Sequence, residues 1–405
     1  MNPTPFAAGH AAHSEWQLAL RHALDDMLHD ARVATAHAAG GGEAPAEYTL
    51  GFCYLSDHFA ADAGHILAEL QRRLPGVHWV GTVGVGVLAT GAEHFDQPAL
   101  ALMLAPLPRS AFRVFSGVQP LRADSGEFHP QVALVHADGR TPDLQELLPE
   151  LAQRTAARYL CGGLTASRAR SVQIADAVFD GGGLSGVALS SAVGVLSRVT
   201  QGCRPIGPLR RVTRAQDNYL LTLDDRTALG CAMVDLGLPP DMALEPVAEA
   251  LANTLVGLHP AADAAPGAEH GFGADMLVRN IIGMDPGAGV VAIADEVEQG
   301  ASLVFCRRDA AAALADLRHV ALEIRDALRA GGQIALGAIY VSCSGRGERH
   351  FGTPAAESGV IRDVLGDVPM VGFFAGGEIA RDRLYGYTGV LTVFTAAAGA
   401  GAVPR

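Results

Sequence analysis

Apolar residues recur along this chain in two rhythms, and their order carries most of what the sequence says. Near the start, Trp16, Leu20, Leu24, Met27 and Leu28 are spaced as one face of a helix. Ser14 followed by Gln17 is a capping-box pattern for its beginning. A stretch rich in Ala and Gly, Ala38 to Ala46, then predicts a loop.

Three later stretches share one plan of strand, helix, Gly-bearing turn and strand. In the first, Tyr48 to Leu55 predicts a strand, and Ser56 or Asp57 a cap for a helix with Ile66, Leu67, Leu70 and Leu74 inward. His78-Trp79-Val80-Gly81 leads through Gly84 and Gly86 to a strand at Ala99 to Leu104. In the second, Gln131 to Val135 is the strand and Thr141-Pro142 starts a helix with Leu144, Leu147, Leu148 and Leu151 inward. Tyr159 to Gly163 follows, then a strand at Gly186 to Leu189. In the third, Ile334 to Val341 is the strand, Thr353-Pro354 starts a helix with Val360, Ile361, Val364 and Leu365 inward, and Val371-Gly372 precedes a strand at Tyr387 to Phe394. Threonine can cap free amides, and proline at the first helical position loses no hydrogen bond. The period is too irregular for a solenoid. The reading is α+β: recurring β-α-β-β units of α/β type with mixed sheets.

A different region separates the second and third units. Asn218 to Leu223 reads as a strand and Met242 to Leu258 as mostly helical, with Pro246 near its start. Ala261 to Gly273 reads as a loop. Met276 to Ile282 and Gly289 to Ala294 are strands around an Asp285-Pro286-Gly287 turn. Ser302 to Cys306 is a further strand, and a long helix from about Asp309 to Leu328 ends at Gly331-Gly332. Ala396 to Arg405 reads as a frayed tail.

Composition narrows the function classes. A length of 405 residues, nearly half of them hydrophobic, suits two or three domains with buried cores. No apolar run reaches membrane-spanning length, and Glu15, Asp25 and Asp26 do not suit a signal peptide, so a cytoplasmic protein without membrane insertion is expected. A formal charge of −13 argues against nucleic acid as a partner. All 30 basic residues are arginine, which excludes Schiff-base and P-loop lysines. Cys53, Cys161, Cys203, Cys231, Cys306 and Cys343 form no Cys-x-x-Cys pair, and the histidines form no His-Glu-x-x-His pair, so no metal site is expected.

Two polar segments remain as candidate sites. Cys343-Ser-Gly-Arg346-Gly347 ends a strand, and Gly376-Gly377-Glu378 ends the next. Arg346, with the amides of Ser344 to Gly347, can take an anion, and Glu378 can take an amine or pair with Arg346. The plainer reading of Arg346 is a salt bridge to Glu348 or Glu357. Arg279 and Asn280 sit in an otherwise apolar strand, facing either water or a site. Cys203 beside Arg204, like Cys343 near Arg346, would have its thiolate favoured by positive charge, although buried packing is commoner for free cysteine. Gly81-Thr-Val-Gly84-Val-Gly86 and Gly181-Gly182-Gly183 match no nucleotide fingerprint, and Gly183-Leu-Ser-Gly186 is no nucleophile elbow.

These motifs resemble the FIST family. Trp79-Val80-Gly81 and Gln201-Gly-Cys203-Arg204-Pro-Ile-Gly207 are similar to its N-terminal region, here about 47–212. Leu277-Val-Arg279-Asn280-Ile-Ile-Gly283-Met-Asp285-Pro, Cys343-Ser-Gly-Arg346-Gly347, Gly372-Phe-Phe-Ala-Gly-Gly377-Glu378 and Tyr385-Gly-Tyr387-Thr are similar to its C-terminal region, here about 213–398. Residues 1–46 would be a helix and linker, and 399–405 a tail. The resemblance implies a sensory, non-enzymatic protein that binds a small molecule such as an amino acid. It also implies an output partner such as a histidine kinase, a chemotaxis-type receptor or a cyclic-di-nucleotide enzyme. The two regions leave no room for an output domain, so the partner is expected to be separate. Three alternatives stand beside this reading. Some FIST proteins are similar to haem-binding nitric-oxide sensors, although no histidine here maps as the axial ligand. An enzyme with Cys343 or Cys203 as nucleophile and a protein-binding adaptor are the others.

Overall fold

The computed structural model describes residues 5–38, 47–122, 128–259 and 276–398. Its sheets mix parallel and antiparallel pairing and its helices lie between strands, so the fold is α+β. The loops expected at Ala38 to Ala46 and Ala261 to Gly273 and the tail from 399 lie wholly or almost wholly outside the described residues. Packing divides the chain into two compact units, Met1–Thr200 with Leu314–Arg405, and Gln201–Ala313.

The first unit holds all three repeats, and they exchange parts. Each repeat supplies two parallel strands joined by a helix, then a short hairpin, then a last strand antiparallel to the first. The parallel pairs are Leu50–Ser56 with His78–Gly84, Pro130–Ala137 with Tyr159–Leu164, and Gln333–Cys343 with Met370–Ala375. The hairpins do not stay at home. Gly86–Ala89 and Ala92–Phe95 from the first repeat extend the third sheet. Gln173–Ala175 and Val178–Phe179 from the second extend the first sheet. Glu378–Arg381 and Arg383–Tyr385 from the third extend the second. Each sheet therefore has six strands, and the exchange runs cyclically. The hairpin strands are two to four residues long, too short for a periodic signal.

Register fixes which positions correspond. Gly81, Gly162 and Gly372 lie opposite Cys53, Val135 and Tyr340. At each, a Cβ would fall 1.7 to 1.9 Å from the partner strand's carbonyl oxygen, so glycine is required at the same place in all three copies. One residue on, Tyr54 and His136 occupy equivalent positions, and their rings meet Phe373 at centroid distances of 5.0 and 5.9 Å. Helix faces pack the opposite side. Ile66, Leu67 and Leu70 are buried as the spacing predicts, in a helix Ala63–Arg73 preceded by a 3₁₀ segment. Ser56 stands at the N-cap of that 3₁₀ segment, but its side chain makes no capping bond; its Oγ accepts from the Ala99 amide at 3.0 Å.

The two Thr-Pro pairs precede their helices rather than starting them. The helices are Leu144–Gln153 and Ala356–Leu365, and the residue before each, Asp143 or Ala355, is left-handed with φ of 54°. The two loops thus enter their helices through the same strained conformation at a non-glycine position. Several strands have no expectation in the sequence, among them Phe112–Phe115, Gly194–Thr200, Arg210–Gln216 and Ala7–Ala12; the last, a run of Ala, Gly and His without β propensity, pairs antiparallel with Ala99–Ala105.

The second unit closes on itself. Arg210–Gln216, Tyr219–Leu223, Val290–Ile293, Leu277–Asp285, Leu255–His259 and Ser302–Arg308 pair in turn, and the last pairs with the first. The ring is antiparallel throughout and removes sheet edges. The helix expected over Met242 to Leu258 is Leu244–Ala252 followed by the strand Leu255–His259. Pairing on both sides of that strand overrides its local helical pattern.

Candidate functional site

A buried polar cluster sits where the third repeat's parallel strands end. The strand Gln333–Cys343 brings in Tyr340, Ser342 and Cys343; the loop after it brings Arg346; the helix Ala356–Leu365 brings Glu357. Glu357 is 0% exposed and fully engaged. Tyr340 Oη and Arg346 Nε donate to its Oε1 at 2.5 and 2.8 Å, and Ser342 Oγ donates to Oε2 at 2.7 Å. Arg346 is thus held by Glu357, one of its two expected structural partners. Its guanidinium lies over the Phe351 ring at 5.6 Å. Nη2 lies 2.8 Å from Glu357 Oε1 as an ion pair, but it has no aligned hydrogen-bond acceptor.

Glu378 faces the same cluster from the exchanged hairpin. Its Oε2 accepts from the Thr388 amide at 3.1 Å and from Thr388 Oγ1 at 2.7 Å, while Oε1 is buried without a partner. Register makes Val87 and Gln173 the corresponding residues of the other two hairpins. Only this copy places a carboxylate there. Burial pushes the Glu378 carboxyl up to about 8, against the opposing pull of the Thr388 hydrogen bonds and the Arg346 charge. Glu93, from the first repeat's hairpin, caps the helix Ala356–Leu365: its Oε1 accepts from the Glu357 and Ser358 amides, both at 2.8 Å. Burial and then the Glu357 charge push Glu93 up to about 7.

These shifts carry a pH dependence. Both carboxyls hold protons more tightly folded than unfolded. Their contribution to stability is complete below about 4.5, their ordinary value, and is lost as pH rises through about 7 for Glu93 and about 8 for Glu378. Glu378→Gln is therefore expected to flatten the stability profile between about pH 5 and about pH 8. Urea midpoints across that range check this; a profile as steep as that of the unsubstituted chain contradicts it.

The remaining expected site residues fall as follows. Gly347 has φ of 86°, and a Cβ there would lie 3.0 Å from Phe95 Cδ2. Gly377 accepts from the Leu164 amide at 2.8 Å. The proposed anion nest is partly spent internally, since the Ser344 amide donates to Ala375 O at 2.7 Å and the Arg346 amide to Cys343 O at 2.8 Å. Cys343 is buried beside Glu378. Burial, then that carboxylate, push its thiol up to about 12, so Arg346 does not make it a ready thiolate. Cys203, Arg204, Arg279 and Asn280 belong to the other unit. Cys203 is buried, and the exposed Arg204 lies 3.9 Å from Asp309. Arg279 Nε donates to Asp295 Oδ2 at 2.6 Å, and Asn280 is exposed. Glu93 escaped sequence reading because the hairpin exchange that recruits it leaves no local mark, while Thr388 was legible as part of the Tyr385-Gly-Tyr387-Thr motif, without a role.

Among the described residues no group of three or more His, Cys, Asp or Glu is placed to hold a metal, and no helix is long and apolar enough to cross a membrane. His136 is fully buried, with Nε2 3.2 Å from Tyr54 Oη and its ring clasped by Tyr54 and Phe373. His10 Nδ1 and His94 Nε2 lie 2.8 Å apart and occupy one another.

Comparison with known proteins agrees over most of the chain. The FIST N domain matches residues 49–226 and the FIST C domain residues 242–381. An uncharacterized protein of Mycobacterium tuberculosis is 32% identical over 393 residues, which cover 91% of this chain and 97% of that relative. An uncharacterized protein of Mycobacterium bovis is 30% identical over 394 residues, 90% of this chain and 96% of the relative.

Proposed function

The chain belongs to the FIST family, and from that premise we propose that it senses a small zwitterion, an amino acid or similar carboxylate, at the Arg346–Glu378 cluster. FIST domains are associated with signal transduction and small-ligand sensing. One observation carries the finer reading: Arg346 Nη2, ion-paired with Glu357 but without an aligned hydrogen-bond acceptor, and the buried acceptor Glu378 Oε1, without a hydrogen-bond partner, act on each other electrostatically. Leaving a buried acceptor such as Glu378 Oε1 unmet costs roughly 1–3 kcal/mol. A ligand carboxylate meets the first and an ammonium group the second. The protein acts in the cytoplasm on a separate output partner, such as a histidine kinase or a cyclic-di-nucleotide enzyme.

Thermal-shift titration with the common amino acids and simple carboxylates tests this. A ligand is expected to raise the melting temperature of the unsubstituted chain and not that of Glu378→Gln, which keeps the shape of the site. Arg346→Ala also removes the partner of Glu357, so Glu378→Gln is the deciding variant. An equal shift in both, or none with any ligand, overturns the assignment. A nucleophilic Cys343 draws no support from its raised thiol.

A further inference from the structure

The Arg346–Glu378 cluster is closed off from solvent. Arg346 is 2% exposed, and Glu357 and Glu378 are fully buried. A ligand the size of an amino acid reaches them only if part of the surround moves. Most of the surround is fixed by the fold. The strands Gln333–Cys343 and Met370–Ala375 each pair on both sides, as does Glu378–Arg381. The helix Ala356–Leu365 buries Ile361 together with Glu357. The segment after the hairpin is tied through Thr388 to Glu378 itself.

The segment Gly347–Gly352 differs. Its core is a single helical turn, Glu348–Phe351, none of whose residues is buried. Three backbone bonds hold the turn as one piece: the His350 and Phe351 amides donate to Gly347 O at 2.9 and 3.0 Å, and the Gly352 amide donates to Glu348 O at 2.7 Å. Glycines with φ of 86° and 74° bound it. At Gly352 a Cβ would meet nothing within 4 Å, so glycine serves the backbone conformation there and not close packing. On the inner side, the Phe351 ring lies 5.6 Å from the Arg346 guanidinium carbon. On the outer side, Arg349 Nη2 donates to Asp96 Oδ2 at 3.0 Å. Asp96 is itself anchored, because its amide donates to Val85 O at 3.0 Å and its other carboxylate oxygen takes Arg168.

We propose that Gly347–Gly352 is a lid over the Arg346–Glu378 cluster, hinged at its two glycines, sealed by Phe351 and latched by Arg349 on Asp96. What the lid admits rests on the ligand reading above; the motion itself does not. The latch suits a part that must open. Arg349 is 81% exposed, and an exposed ion pair holds weakly. It also connects the repeats. Arg349 belongs to the third, Asp96 to the exchanged hairpin of the first, and Arg168 to the second. Arg168 donates in turn to both carboxylate oxygens of Asp57, at 2.7 and 2.8 Å. Opening the lid therefore removes one end of an ion-pair chain that spans all three repeats.

Spin labels on the full chain test this. Glu348→Cys places one label on the turn and Asp363→Cys one on the helix Ala356–Leu365, both at exposed positions, while the six native cysteines are buried. Electron–electron double resonance reads the distance between the labels. A main short distance and a minor longer one are expected. Arg349→Glu is expected to raise the longer-distance fraction about two- to fivefold, the scale of an exposed pair. Adding Phe351→Ala removes seal and latch together and is expected to make the longer distances the majority. Arg349→Glu leaves every buried contact in place, so it keeps the readout even where the second change disturbs folding. Distances unchanged in Arg349→Glu, or in the folded double variant, overturn the lid. Each common amino acid that binds is expected to narrow the distribution of the labelled chain. If none alters it while the variants open, the lid stands and the amino-acid reading fails.

Discussion

Replacing Glu357 by alanine is expected to destabilise the first unit by about 3–5 kcal/mol, the cost of breaking a buried ion pair by removing one partner. The size follows from what the carboxylate holds. Arg346 is 2% exposed, Tyr340 and Ser342 are fully buried, and all three point their donors at Glu357. Without it, a charge and two hydroxyls lose their acceptor inside the protein, where water cannot replace it. Glu357→Gln keeps one acceptor oxygen and the shape, and should lose less. Arg346→Met combined with Glu357→Gln removes the stranded charge, so the double variant should lie above the sum of the single losses by about 0.5–3 kcal/mol. Urea denaturation of the four proteins decides it. Additive losses would mean that the two side chains do not depend on each other, and the cluster would not be the cooperative unit its geometry describes.

That network also explains how far the site was legible. Arg346 and Glu378 stood out because charged residues ended apolar strands between glycines, and both lie in the cluster. Glu357 was visible only as a possible partner of Arg346, since a glutamate in the first turn of a helix has the ordinary form of a solvated residue. Glu93 had no such form. It reaches the site because its hairpin leaves the sheet of its own repeat, a choice made by long-range pairing and invisible to period or propensity. The threefold order of strand and helix could be read because burial of one face per element imposes the spacing locally. The closed six-stranded ring of the second unit could not, because closure depends on Leu255–His259 pairing on both edges, and its residues continue a helical pattern. The Gly-bearing turns lie between these cases. Each glycine was legible as punctuation, while the reason for it lies in the strand alongside.

That reason makes the strongest prediction. Gly372→Ala is expected to destabilise the first unit by about 3 kcal/mol or more, at the upper end of overpacking costs. The added Cβ would fall 1.7 Å from the Tyr340 carbonyl oxygen and 2.7 Å from its carbon. Those are backbone atoms of the central strand of a six-stranded sheet, bonded on both sides, so the neighbour cannot yield as a flexible side chain would. Gly81→Ala, facing Cys53 O at 1.8 Å, and Gly162→Ala, facing Val135 O at 1.9 Å, are expected to cost as much, Gly162 with the further strain of φ at 141°. Gly64→Ala supplies the contrast: it lies in the helix Ala63–Arg73 with nothing within 4 Å of the new Cβ, so it should stabilise by about 0.5–1 kcal/mol. Urea midpoints for the four variants measure the order. If the three strand glycines tolerate alanine as Gly64 does, the close approach is not a requirement of the fold, and the correspondence of the repeats loses its physical basis. If all three fail together, the exchange of hairpins among three equivalent sheets rests on one steric condition met three times.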